Sequence, residues 1–272
     1  YYSNEEEFGA VTIALFEVAK PFAPHKGELH LIGSGPGDLK MLTSDSRQAL
    51  TRCSAWIGYG PYLNYLESIR RHDQVRIDSE LTFEKDRCQN ALDLAKEGVK
   101  VALISSGDSG IYGMAGLALE LWLNERVDSR PLFQVHPGIS SFQMAAAKLG
   151  APFMHDFCSI SLSDLLTPWN QIEKRIKSAA IGDFVLAIFN PKSIKRDWQL
   201  KKTVDLLLEF RNPSTPVAIA RQLGRPEESI ELHTLETLPF DQVDMLTILI
   251  VGNSQSFIKN NKFLTPRGYL SN

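Results

Sequence analysis

Cysteine is scarce in this chain. Its three cysteines, Cys53, Cys88 and Cys158, lie far apart and form no CxxC pair. Neither a disulfide framework nor a zinc-type ligand spacing is available, which points to a reducing compartment and a cytoplasmic location. The six histidines form no HExxH or similar pair, so no protein-ligated metal is expected. Charge of one sign is also lacking: the net charge is −3. Without a global basic field, nucleic acid is not an expected partner. No apolar run reaches the roughly 18 residues of a membrane span, so no membrane partner is expected either. The opening "YYSNEEEFGA" has neither the basic start nor the apolar centre of a secretory signal.

What is present is ample apolar material. The 272 residues are 43% hydrophobic, enough for one large or two medium domains. Residues 1–27 stand apart: an acidic opening and a short apolar stretch are followed by Pro21, Pro24 and Gly27. This reads as an N-terminal extension or linker, either the tail of an upstream domain or an arm packed on the surface. From residue 28 onward strand-like and helix-like patterns alternate. Apolar runs at "ELHLIG", "SAWIGYG", "VKVALISS" and "LFQVHPG" are separated by helical patterns such as "TSDSRQALTR" and "EKDRCQNALDLAKEG". That alternation predicts a mostly parallel sheet covered by helices. A second set follows: "FCSISL", "DFVLAIF", "TPVAIA" and "MLTILIVG", with helical patterns at "TPWNQIEKRIKSAA", started by Pro168, and "DWQLKKTVDLLLEF". The expected fold class is α/β: two consecutive α/β domains, 28–138 and 139–272, with a ligand cleft between them.

Two glycine-rich turns follow apolar runs. In "LHLIGSGPGD", Gly33 and Gly35 fit the first two glycines of a dinucleotide-binding turn, but the sixth place is Asp38. A carboxylate there repels phosphate, and Pro36 removes a backbone N–H that would face an anion. The next run, "SAWIGYG", carries no acid to hold a ribose. The turn therefore suits a ligand other than a pyrophosphate, or no ligand at all. The second turn lies in "VALISSGDSGIYGMAGLALEL". Its "GDSG" matches the nucleophile turn of chymotrypsin-like proteases, but a strand–turn–helix context in an α/β chain is the wrong setting for Ser109 as a nucleophile. Asp108, at the tip of a buried strand, reads either as a helix cap or as a partner for a cationic or hydroxyl-bearing ligand. Both turns fall where open α/β sheets bind ligands.

The motifs "LHLIGSGPGDLKMLT", "SSGDSGIYGMAG", "HPGISSFQMAAAKLGAPFMHDF", "SLSDLLTPW", "FNPKS", "DMLTILIVGNS" and "TPRGY" occur in this order. Together they resemble the tetrapyrrole methylases of cobalamin synthesis, over about residues 28–269. Within that family they are most similar to the C17-methyltransferases acting on precorrin-3B or its cobalt-bearing counterpart. The resemblance implies S-adenosylmethionine (SAM) as methyl donor, a tetrapyrrole substrate that is possibly cobalt-bearing, and a homodimer. The first 26 residues match no part of those enzymes; the end of a fused upstream cobalamin-pathway domain is one reading of them.

Carried over by position, the resemblance assigns donor contacts to Pro36, Ser106, Gly107, Asp108, Ile111, Tyr112, Ser140, Ser141, Phe189, Asn190, Gln222, Leu223 and Thr247. Ser106 replaces a common glycine, and Ser140 and Ser141 stand where Thr-Ala is frequent. Each is otherwise a cap or core residue. The implied reaction adds a methyl at C17 and contracts the macrocycle, with C20 leaving the ring. A proton moves from the C20 oxygen as a lactone forms, which calls for a general base. Asp38, His155, Asp156 and Asp164 are candidates, and His155 with Asp156 reads equally as a surface pair. The substrate's carboxylates call for cations: Lys192, Lys195, Arg196, Arg221 and Arg225 are available, or form two solvated loops. A nicotinamide-dependent oxidoreductase and a non-catalytic tetrapyrrole-binding domain are the rival readings.

Overall fold

The computed structural model describes residues 26–193 and 196–270. The reading of residues 1–27 as an extension falls almost wholly outside them. The first half contains β1 (Glu28–Gly33), α1 (Ser44–Arg52), β2 (Ala55–Tyr59), α2 (Gly60–Leu66), β3 (Val75–Ser79), α3 (Glu84–Lys96), β4 (Lys100–Ser105), α4 (Ala115–Asn124) and β5 (Leu132–His136). The second half contains α5 (Ser141–Leu149), β6 (Gly150–Ala151), β7 (Phe157–Ser161), α6 (Trp169–Ile181), β8 (Val185–Phe189), α7 (Gln199–Leu208), β9 (Pro216–Arg221), β10 (Ser229–Thr234), β11 (Thr247–Val251), β12 (Phe257–Lys259) and β13 (Lys262–Leu264).

The first sheet has the order β3-β2-β4-β1-β5, and every pair in it is parallel. Each parallel pairing needs a crossover, which the intervening helices provide. Alternate residues of the central strands feed two cores. Leu29, Leu31 and Leu103 pack with Leu92 on one face, while Ile32, Ala102 and Ile104 pack with Leu50 and Trp56 on the other. Burial on both faces is why these strands are continuous apolar runs in the sequence. Helix α1 starts at Thr43, whose Oγ1 accepts from the Ser46 N–H at 3.1 Å, and it ends at the buried Cys53.

The second sheet, β10-β9-β11-β8-β7, departs from the parallel pattern. Only β7 and β8 pair in parallel; β8–β11, β11–β9 and β9–β10 are antiparallel. The link from β9 to β10 is too short for a crossover helix, so β10 must return antiparallel. Its core gathers Ile172, Leu186, Ile188, Leu207, Ile219 and Leu249. A third, small sheet of β12, β13 and β6 closes the chain. It delivers the fully buried Phe263 into a cluster with Met144, Leu149, Val185 and Ile248.

Phe263 therefore anchors the C-terminal strands to the second core. Phe263→Ala is expected to cost about 3–5 kcal/mol, the range for emptying a buried aromatic site. Leu270→Ala, at an exposed position, should leave the melting temperature unchanged. Thermal melts of the two variants beside the parent chain check this.

Candidate functional site: two facing loop edges

Because β1 lies between β4 and β5 and all three are parallel, their C-terminal ends share one edge. Three turns leave that edge side by side, and their backbones interlock. Gly35 and Gly107 exchange two hydrogen bonds, N–H to O=C at 3.0 and 2.7 Å. Gly33 and Gly138 touch so closely that a Cβ on Gly33 would stand 2.5 Å from the Gly138 nitrogen, and one on Gly138 would overlap the Gly107 carbonyl oxygen. Asp108 ties the turns together: one carboxylate oxygen accepts from the Gly110 N–H at 2.8 Å, the other from the Gly138 N–H at 2.9 Å. Asp108 is therefore not a helix cap. Helix α4 begins at Ala115 behind Met114, with no side-chain cap. Ser140 caps α5 and is buried, its N–H donating to the Gln143 side chain at 2.9 Å; Ser141 is the first residue of that helix.

The second sheet presents the opposing edge. Ser161 pairs with Phe189 at the ends of β7 and β8, and Arg221 pairs with Thr247 at the ends of β9 and β11. The β8–β11 register, Leu249 opposite Ile188, extends to set Thr247 level with Asn190. Asn190, Gln222, Leu223 and Thr247 are thus brought to one edge. Two of the contacts between the edges fix their relation. The Tyr112 hydroxyl donates to the Ser159 carbonyl at 3.1 Å and its ring packs on Phe189 at 4.9 Å between centroids. Gly224 sits against the first turn, where a Cβ would lie 3.1 Å from the Asp38 nitrogen and 3.4 Å from Pro36. Tyr112, Asn190 and Gln222 all have left-handed backbones, with φ of 51°, 50° and 47°. Such a backbone is uncommon for Tyr and Gln, though Asn adopts it readily. Ile111 is exposed beside Tyr112, while Leu223 is buried.

The polar candidates separate by place. Asp38 lies in the first turn, where its carboxylate accepts from the Lys40 N–H at 2.9 Å. His155 and Asp156 precede β7, at the opposite end of that strand from Ser161. There the His155 ring accepts from the Asp156 N–H at 2.8 Å and both side chains face solvent. Asp164 is held by Gln199 at 2.9 Å and lies 3.9 Å from Arg196, whose guanidinium donates to the Asn190 carbonyl. Lys192 donates to the Phe240 carbonyl at 3.1 Å, and Arg221 lies 3.5 Å from Asp244. Lys195 is outside the described residues. Ser109 is fully buried with an unpartnered hydroxyl, a poor position for a nucleophile.

Sequence reasoning missed the wall opposite Gly35. A narrow recess is lined by Ser34, Gly35, Gly37, Tyr62, Tyr65, Ser106 and Arg225. The Arg225 guanidinium lies over the rings of Tyr62 and Tyr65, at 5.7 and 5.2 Å, and its Nε is buried without a partner. Among the described residues no carboxylate forms an ion pair with it. Burial pushes the Tyr62 phenol up, with Arg225 opposing. The i, i+3 spacing of Tyr62 and Tyr65 was visible, but only the fold brings Arg225 to them. Also among the described residues, no cluster of three or more His, Cys, Asp or Glu could hold a metal ion, and no helix is long and apolar enough to cross a membrane.

The profile of the Tetrapyrrole (Corrin/Porphyrin) Methylases matches residues 28–239. The chain belongs to this family. It is 44% identical over 241 residues to a probable cobalt-factor III C(17)-methyltransferase of Salmonella typhimurium, covering 89% of this chain and 99% of that protein. It is 37% identical over 254 residues to a precorrin-3B C(17)-methyltransferase of Sinorhizobium sp, covering 89% and 97%. The crystal structure of the methyltransferase CobJ superposes with a TM-score of 0.84 at 33% identity, over 88% of this chain and all of that one. In a tetrapyrrole methylase, a glycine turn hostile to phosphate is no contradiction.

The interlock makes a sharp demand on Gly138. Gly138→Ala has no room for its methyl group and should cost about 1–3 kcal/mol, as overpacking does. Asp108→Asn removes one of two acceptors, for the exposed Gly110 N–H or the part-buried Gly138 N–H, and should cost less, about 1 kcal/mol. Both act on one joint, so the double variant should lose less than the sum. Chemical denaturation of the four proteins measures that coupling.

Proposed function

We propose that the chain methylates C17 of a tetrapyrrole with SAM as donor and contracts the macrocycle, within cobalamin synthesis. The observation that supports this reading most is the pair of facing loop edges, built from backbone turns that expose no phosphate site. The greater identity to the relative named for cobalt-factor III favours a cobalt-bearing substrate. We also infer a cytoplasmic homodimer, in keeping with three free thiols and with the apolar Leu132 and Val135 exposed on the edge strand β5.

The residues present fit such a donor. Gly107 has φ of 66°, and a Cβ there would meet nothing nearer than the Ser140 Cα at 3.7 Å. The turn is therefore open on its ligand side, and a flat, amphipathic group can lie against the backbone. Gly107, Asp108, Ser140 and Ser141 would form one wall; Phe189, Asn190, Gln222, Leu223 and Thr247 would form the other. Pro36, Ser106, Ile111 and Tyr112 would close the ends. The donor, when bound, supplies a methyl group on a sulfonium for in-line displacement, so the protein's tasks are alignment and exclusion of water. Tyr112 serves both tasks by bridging the halves. Asp38 is the best-placed base for the substrate proton, since it sits in the turn that faces the second half. The cationic, ring-stacked Arg225 suits a substrate carboxylate and would repel the donor's positive charge, which supports the macrocycle lying on the Tyr62–Tyr65 side. Lys192 and Arg221 would assist from the second half.

Calorimetry with S-adenosylhomocysteine and with NADH tests the donor assignment. The former should bind with saturation and the latter not at all; saturable NADH binding would reject the reading. Gly107→Val should abolish that binding, because its branched side chain would fill the open ligand side of the turn, and it should also lower stability, because a β-branched residue is strained at positive φ. For the base, Asp38→Asn should lower turnover by 10²-fold or more, the usual share of general-base catalysis, with donor affinity retained. Unchanged turnover would move the base elsewhere.

A further inference from the structure

Below the glycine interlock lies a chain of four titratable side chains that the proposed chemistry does not use. Glu28 Oε2 lies 2.8 Å from His30 Nε2, His30 Nδ1 lies 2.9 Å from His136 Nε2, and His136 Nδ1 lies 2.6 Å from Asp45 Oδ2. Both imidazoles are buried, at 1% and 0% exposure, while the terminal carboxylates are 21% and 54% exposed. The chain runs from the start of β1, across to the end of β5, and out to the first turn of α1. His136 is followed by Pro137, whose carbonyl accepts from Thr43 at 3.1 Å, and by Gly138, the partner of Asp108.

The proton count of this chain is fixed by its contacts. Three short contacts need three protons, and carboxylates supply none. Two neutral imidazoles bring two. With only two, either the two facing ring nitrogens or one ring nitrogen and its carboxylate would set lone pairs against each other at under 3 Å. We propose that His30 and His136 share one excess proton in the folded protein, and that this proton clamps the 136–140 turn, and through it the donor loop, against helix α1. The proton belongs to the pair rather than to either ring.

The surrounding groups are Glu28, Lys100, Arg52, Asp45 and Cys53. Burial is the largest influence on His30 and holds its imidazolium below the ordinary value, the Glu28 hydrogen bond only partly offsetting it; the excess proton follows from the three contacts and not from the titration of His30 alone. Glu28 is itself held below its ordinary range, first by its bond to Lys100 at 2.7 Å. Arg52 opposes a charge on His30, and the buried Cys53 thiol, pushed up to about 12, stays neutral. Asp45, half exposed, gives the proton a route to solvent. The sign follows from linkage. Unfolded histidines titrate at about 6.5, so a proton that the three contacts retain above that value is one the unfolded chain has released. The clamp is complete at lower pH and is lost as pH rises through the pair's own folded value.

Asp45→Asn separates this from a merely structural role. An amide can donate to His136 Nδ1, after which His136 donates to His30 and His30 to Glu28. Three contacts are then satisfied by two neutral rings, and the excess proton is no longer needed. The experiment records nitrogen NMR of ring-labelled histidines in the full chain, without ligand, together with S-adenosylhomocysteine affinity from pH 7 to 9. The wild type should show a shared imidazolium at pH 7.5 and lose affinity roughly tenfold by pH 9, the scale of one charge-assisted contact. Asp45→Asn should show two neutral rings and a flat affinity profile. Two neutral rings in the wild type, or an identical pH profile in Asp45→Asn, would overturn the proposal. The affinity arm rests on the donor site proposed above. If the wild type binds no S-adenosylhomocysteine at any pH, that reading fails, while the ring spectra still decide the proton count.

Discussion

The close approach of Gly33, Gly107 and Gly138 is the constraint on which the site depends. Three parallel strand ends are separated only by the spacing between neighbouring strands, about 4.8 Å. Turns leaving them side by side fit only if their backbones touch. Glycine permits that contact, and the paired Gly35–Gly107 hydrogen bonds satisfy groups that water would otherwise have to reach. Asp108 completes the joint by accepting from two N–H groups on two turns. The edge that results is made of main chain, so it offers a ligand a surface whose shape barely depends on rotamers.

The second half contributes differently. Its edge is formed by strand ends running both ways, and it is fastened to the first half by the Tyr112 hydroxyl on the Ser159 carbonyl and by the Gly224 main chain packed on Pro36 and Asp38. Glu228 steadies that loop. Burial would raise its carboxyl, but the Gly224 N–H and Lys148 outweigh this and hold it low. A wall of interlocked main chain thus faces one held by fewer contacts, in keeping with the donor and macrocycle site proposed above.

Much of this was legible in the sequence, for identifiable reasons. Strands β1, β2, β4, β8, β9 and β11 are buried on both faces or nearly so and appear as continuous apolar runs. Strands β3 and β10 were not foreseen. Arg76 and Asp78 in β3, and Glu231 and His233 in β10, interrupt any apolar run, because both strands lie at sheet edges and stay partly exposed. The glycine turns were visible as motifs, but Gly138 as their third member was not, since its partner Asp108 is 30 positions away. Of the four carboxyl and imidazole candidates for the base, spacing could not tell that Asp164 is bonded to Gln199 or that His155 lies at the end of β7 away from Ser161. The mixed second sheet follows from a short connection whose return path a periodicity does not reveal.

The strand order of the first sheet also bears on how the chain is made. β5 is the last strand of that sheet in the sequence, and it pairs with β1, the first. At a synthesis rate of roughly 5–20 residues per second, β1 is exposed for several seconds before its outer neighbour is available. Its other neighbour, β4, comes only slightly earlier. For that interval Leu29, Leu31 and Ile32 have no sheet to enter, and the nascent chain carries an unpaired apolar strand. The two helices and two strands from Ser44 to Ser79 are the material that can shield it in the meantime. The order of emergence from the ribosome therefore makes the early first half the stretch most in need of chaperone cover.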